Sequence, residues 1–72
     1  MIVNQISPGQ SLYRQVRGGF VIQGGTLTAW CRQFGINPSN ARAALTGAWD
    51  GQKGRELREK LIEAAKITVN PN

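Results

Sequence analysis

The stretch TLTAWCRQFGINPSNARAALTGAW, residues 26–49, decides how this chain folds. Leu27, Trp30, Cys31 and Phe34 stand at i, i+3, i+4 and i+7, which makes one apolar stripe on a helix. Thr26, just ahead of the stripe, is placed to cap the free amides of the first turn. Thr28, Arg32 and Gln33 fall off the stripe. Gly35 lacks the Cβ that disfavours a left-handed backbone, so it closes this helix, and Ile36 turns back toward the core. Asn37-Pro38 opens a second helix, with asparagine as the cap and proline at the first helical position, where its missing N–H is not needed. The spacing turns Ala41, Ala44, Leu45 and Ala48 inward. Ser39, Asn40, Arg42, Ala43 and Thr46 face outward.

The flanks extend the same pattern. Ser7-Pro8 predicts a helix start, and Leu12, Val16, Phe20 and Gln23, with Tyr13 alongside, follow helical spacing. Gly18 and Gly19 weaken that helix by about 1 kcal/mol each relative to alanine. Gly19 lies on its apolar face, where it lets a second helix pack closely; Gly24-Gly25 end the segment. Arg14 and Arg17 occupy a more exposed side. Downstream, the glycine-rich TGAWDGQKG is a connection in which Trp49 is expected either to close the core beneath the last helix or to stand partly exposed as an interface anchor, and Asp50 is expected to cap a last helix at about 52–66. Leu57, Leu61, Ala64 and Ala65 make its buried face. Glu56 with Lys60 and Arg55 with Glu59 are spaced as i,i+4 ion pairs, so Arg55, Arg58 and Lys60 are expected on a solvated face. The fold expected is all-α: a compact four-helix domain over residues 7–66. Residues 1–6 form an N-terminal tail or short strand and residues 67–72 a C-terminal tail. The apolar MIVNQI and ITVN of the two tails are candidates to pair.

Composition narrows the function. A chain of 72 residues supports one modest core. Nine Lys and Arg against four Asp and Glu give a charge of +5 and a pI near 10.4, the balance of a polyanion binder. Cys31 is the one cysteine and there is no histidine, so neither an internal disulfide nor a zinc site can form. Asp50, Glu56, Glu59 and Glu63 look like caps and ion-pair partners, not a catalytic pair. The glycine pairs do not fit a dinucleotide fingerprint, and GQKGRE lacks the Lys-Ser/Thr ending of a phosphate loop. The expectation is a non-enzyme with no cofactor, no metal and no small-molecule substrate. The sequence shows neither a signal pattern nor a long apolar run, so the expected location is the reducing cytoplasm, away from membranes.

Two helices joined by FGIN, with glycine as pivot and isoleucine as inward plug, have the layout of a helix-turn-helix. Cys31 and Ala41, both small and inward, stand where the two helices must cross. Such a motif lays its first helix across the DNA backbone and its second in the major groove. The outward residues of the second helix suit that task. Arg42 can bind guanine bidentately and Asn40 adenine; Ser39 and Thr46 are tolerant partners, and Ala43 can touch a thymine methyl. Asn37 sits at the positive end of the helix dipole, where phosphate is attracted. Thr28, Arg32, Lys53, Arg55, Arg14 and Arg17 are the further candidates for phosphate contacts, which position the protein without specifying sequence.

The segment TLTAWCRQFGINPSNARAALTGAW resembles the helix-turn-helix of lambda-repressor-like phage regulators. The wider stretch from LYRQVRGGFVIQGG to GRELREKLIEAA is similar to small phage-associated DNA-binding proteins of Mu-like phages and prophages. The likeness covers about residues 10–66, and Trp30-Cys31, NPSNAR and Trp49 sharpen it. It departs from the pattern at the small inward positions, which hold Cys31 and Ala41 where alanine and a branched residue are commoner. The resemblance implies sequence-specific binding of double-stranded DNA, to regulate phage genes as a repressor or other transcriptional regulator in a bacterial host cell. Excisionases and DNA-packaging recognition subunits are the alternatives within the same group, and a protein-interaction module is the alternative outside it. A homodimer on an inverted repeat would place the two reading helices about one DNA turn apart, with Trp49, the last helix or the tails as its surface.

Overall fold

Four helices account for most of the computed structural model, which describes residues 7–67: α1 (Gln10–Ile22), α2 (Leu27–Gln33), α3 (Pro38–Thr46) and α4 (Gln52–Ala64). Among the described residues there is no strand. The suggested pairing of the two tails lies outside them, apart from Ile67. Each helix forms because an apolar stripe needs cover. Leu12, Val16 and Phe20 come from α1, Leu27 and Cys31 from α2, Ala41 and Leu45 from α3, and Leu61 from α4; with Ala65 they make one cluster. Leu45 and Leu61 are fully buried, and burial of a leucine side chain stabilises by about 1.5–3 kcal/mol. Trp30, Ile36, Leu57 and Tyr13 pack on the margin. Helix α3 is the central element, touching α1, α2 and α4.

The caps of the middle helices are those the residue types predict. Thr26 Oγ1 accepts from the Ala29 N–H at 3.1 Å, and Asn37 Oδ1 accepts from the Ser39 N–H at 2.8 Å. Gly35 takes a left-handed φ of 69°, and the Ile36 N–H then donates to the Cys31 carbonyl at 2.7 Å. Cys31 is fully buried, and burial pushes its thiol up from the ordinary value of 9.0, which keeps it protonated and unreactive.

Six expectations are corrected. Helix α1 starts at Gln10, with Gly9 rather than Ser7 at its cap, because the Gly9 N–H is drawn to the Leu45 carbonyl at 2.9 Å. Gly51, not Asp50, caps α4; the Asp50 carboxylate is taken by Arg58 Nη2 at 2.6 Å instead. Arg58 is accordingly buried, only 7% exposed, not part of a solvated face. Phe34 is 58% exposed, because α2 stops at Gln33 and the chain turns away; it stacks on Trp30 with ring centroids 4.8 Å apart. Ala48 is exposed for a similar reason, since α3 ends at Thr46 and Gly47 is left-handed. The two expected i,i+4 pairs are absent from the ion pairs of the described residues. Arg55 turns to Asp50, while Glu56 accepts from Gln52 Nε2 at 3.1 Å.

Two glycines mark close approaches. A Cβ at Gly19 would stand 2.9 Å from the Ala65 Cβ, and one at Gly54 would stand 2.8 Å from the Trp49 carbonyl carbon. At Gly18 it would meet nothing within 4 Å. Thermal unfolding should therefore separate neighbours. Gly18→Ala is expected to stabilise by about 0.5–1 kcal/mol through helix propensity. Gly19→Ala and Gly54→Ala should destabilise by about 1–3 kcal/mol through overpacking.

Candidate nucleic-acid interface

A helix leaves its last four carbonyls without partners inside the helix. At α3 three of those groups, on Ala43, Ala44 and Leu45, are taken by three different parts of the chain. The Ala43 carbonyl accepts from the Gly47 and Trp49 N–H groups at 3.1 and 3.0 Å. The Ala44 carbonyl accepts from Arg58 Nη1 on α4 at 3.1 Å. The Leu45 carbonyl accepts from the Gly9 N–H ahead of α1 at 2.9 Å. Arg58 also brings a positive charge to the negative end of the α3 dipole. Among the described residues the other end of α3 has only its own Asn37 cap, and Ser39 and Asn40 are exposed. The helix is anchored at its C-terminus and presented at its N-terminus.

On the presented half, Ser39, Asn40 and Arg42 are exposed, and among the described residues the Ser39 hydroxyl and the Asn40 amide make no hydrogen bond. Their donors and acceptors are available to a ligand. Ala43 is half-buried. Thr46, also half-buried, lies at the anchored end; its hydroxyl donates to the Arg42 carbonyl at 3.0 Å, so only its acceptor capacity remains. Asn37 Oδ1 is engaged in the cap, which leaves its amide N–H groups to face an anion.

The structure brings Arg42 together with two residues of α1. The Arg42 guanidinium carbon is 5.4 Å from the centroid of the Tyr13 ring, and that of Arg17 is 5.5 Å from the same centroid. Arg14 on α1 and Thr28 and Arg32 on α2 are exposed. Lys53 and Arg55 are exposed in the first turn of α4, beyond the loop that leaves the anchored end of α3. Arg55 is engaged there, its Nε donating to the Asp50 carbonyl at 3.1 Å. The charges are unevenly distributed. Residues 1–49 contain Arg14, Arg17, Arg32 and Arg42 and no acid, whereas Asp50, Glu56, Glu59 and Glu63 all follow. Among the described residues no group of three His, Cys, Asp or Glu side chains is placed to hold a metal ion, and no helix is long and apolar enough to cross a membrane.

Two residues that matter here were not assigned from sequence. Arg58 belongs to the stripe Gly54, Arg58, Leu61 and Ala65, all buried, and that spacing was the available signal; the acids on either side of it pointed the other way. Tyr13 stands four residues before Arg17, the spacing at which helical side chains meet. Its link to Arg42 joins separate helices and has no local signal. No family model, curated protein or solved structure matches this chain.

Arg58→Met would leave the buried Ala44 carbonyl without a donor. It should lower stability by about 1–3 kcal/mol. Amide exchange at Gly47 and Trp49, which close the same end of α3, should quicken with it, as measured by NMR.

Proposed function

We propose that α2, the turn after it and α3 are a helix-turn-helix of the lambda-repressor-like class, and that the chain binds double-stranded DNA in a sequence-specific way as a phage or prophage transcriptional regulator. One observation carries the reading. Among the described residues, the N-terminal half of α3 displays polar side chains with free hydrogen-bonding groups, on a helix held by its other end, beside arginines that no carboxylate neutralises. Major-groove readout needs such a surface: slim, polar and preorganised. In this reading Arg42, Asn40 and Ser39 contact base edges, Ala43 and Thr46 border them, and Thr28, Arg32, Asn37, Arg14 and Arg17 hold phosphates. Lys53 is a peripheral phosphate contact, and Arg55 joins it by releasing Asp50. In this reading residues 26–49 are the helix-turn-helix of a phage regulator, with the bacterial cytoplasm as its site of action.

We further propose a homodimer on an inverted repeat, since one module of this size offers a limited contact area. Its surface is the exposed Phe34, backed by Trp30 and lying beside a groove that Lys60 and Glu63 also line. A two-fold contact would set Lys60 of one copy against Glu63 of the other, the self-complementarity that such symmetry requires.

Selection of bound sequences from random duplex DNA at fixed salt tests the first claim and should return a single short consensus. On that site Arg42→Ala should lose about 1–3 kcal/mol per half-site and relax the preference at one base pair of each, whereas Arg32→Ala should weaken all sequences alike. With about six phosphates neutralised, log K should fall against log salt with a slope near −5; affinity independent of salt would refute the reading. Sedimentation with and without DNA tests the second claim. Phe34→Ser should leave a monomer where the unaltered chain pairs, and a strict monomer in both conditions would end the dimer.

A further inference from the structure

Tyr13 occupies an unusual place. It is half-buried on the margin of the core, so its ring is fixed by the packing of α1, and two guanidiniums from different helices lie within 5.5 Å of its centroid. Neither Arg17 nor Arg42 has a carboxylate within ion-pair distance among the described residues. Two like charges drawn to one ring repel each other, and long side chains lose rotamer freedom when ordered. The face of an aromatic ring offsets both effects, because its quadrupole attracts cations. A carboxylate in the same place would order the arginines more strongly, but it would also cancel their charge. A ring orders them and leaves the charge available for an anionic partner.

We propose that Tyr13 is a positioning residue of the DNA-binding surface, a neutral platform that aligns Arg17 of α1 for a backbone phosphate and Arg42 of α3 for a base edge. The proposal rests on the DNA-binding reading above. Alignment before contact lowers the ordering cost of binding, and it sets the register between a phosphate contact on one helix and a base contact on another. Tyr13 therefore acts on specificity as well as affinity, through Arg42 and without touching a base itself.

The test compares Tyr13→Phe, which keeps the ring, with Tyr13→Leu, which keeps bulk and loses the quadrupole. Binding is measured to the selected duplex and to a scrambled one, in the unaltered chain and in the Arg17→Ala/Arg42→Ala background. Tyr13→Phe should stay within about twofold of the original affinity, while Tyr13→Leu should weaken the selected duplex by about 5- to 30-fold, and the scrambled duplex less. The salt slope should not change, because no cation has been removed. In the double-alanine background Tyr13→Leu should have no further effect. On the free protein, the upfield ring-current shifts of the Arg17 and Arg42 δ-methylene protons should persist in Tyr13→Phe and vanish in Tyr13→Leu. Equal losses in Tyr13→Phe and Tyr13→Leu would overturn the proposal by assigning the effect to the phenol hydroxyl. A Tyr13→Leu loss that persists without the two arginines would overturn it by showing a structural role only. Full specificity in Tyr13→Leu defeats the platform and leaves DNA binding standing. An unaltered chain with no affinity for any duplex defeats DNA binding itself, and the platform with it.

Discussion

The carbonyls that end α3 are the point on which the rest of the architecture depends. A nine-residue helix is too short to be stable by itself in water. Here it also presents its N-terminal half outward, which removes part of the packing that would normally stabilise it. Ala41, Ala44 and Leu45 supply the buried stripe. The remaining constraint comes from the end: Gly9, Trp49 and Arg58 each donate to one of its carbonyls. Arg58 is the strongest of the three, since its other amino group is held by the Asp50 carboxylate. That hydrogen-bonded pair ties the loop after α3, the middle of α4 and the last turn of α3 into one unit. Because Asp50 is well exposed, the ion pair itself is screened; the larger contribution is the satisfied buried carbonyl.

Much of this was legible from residue types and spacing. The four helices, the turn at Gly35 and the caps at Thr26 and Asn37 follow from local chemistry, and local chemistry is what a sequence states directly. The misplacements share a cause. Ser7 and Asp50 each precede a helix start, yet each start is settled by a bond that reaches beyond its first turn: Gly9 to Leu45 at one, Asp50 to Arg58 at the other. Phe34 continued an ideal helical stripe past the residue where the helix actually stops. Arg58 shows the converse failure. Its position on the buried stripe was legible, but an arginine between acids suggested solvent, and only the Ala44 carbonyl opposite explains why it can be buried.

The candidate site divides in the same way. Exposure of Ser39, Asn40 and Arg42 followed from the helical period alone. The grouping of Arg42 with Tyr13 and Arg17 did not, because it depends on how α1 lies against α3, and no periodicity encodes the packing of two separate helices. Thr46 lay on the right face, but its hydroxyl bonds back onto its own helix. Face assignment locates a side chain; it does not say whether its hydrogen-bonding capacity is still free.

The uneven placement of charge has a physical consequence of its own. Residues up to 49 carry four arginines and no acid, while those from 50 onward mix five cations with four acids. The molecule is thus electrically lopsided as well as positive. Near a polyanion such a body feels a torque in addition to attraction, within a screening length of about 8 Å at physiological ionic strength. If DNA is the partner, as proposed, rotational search is shortened during the final approach, and the encounter begins with the acid-free helices α1 to α3 leading.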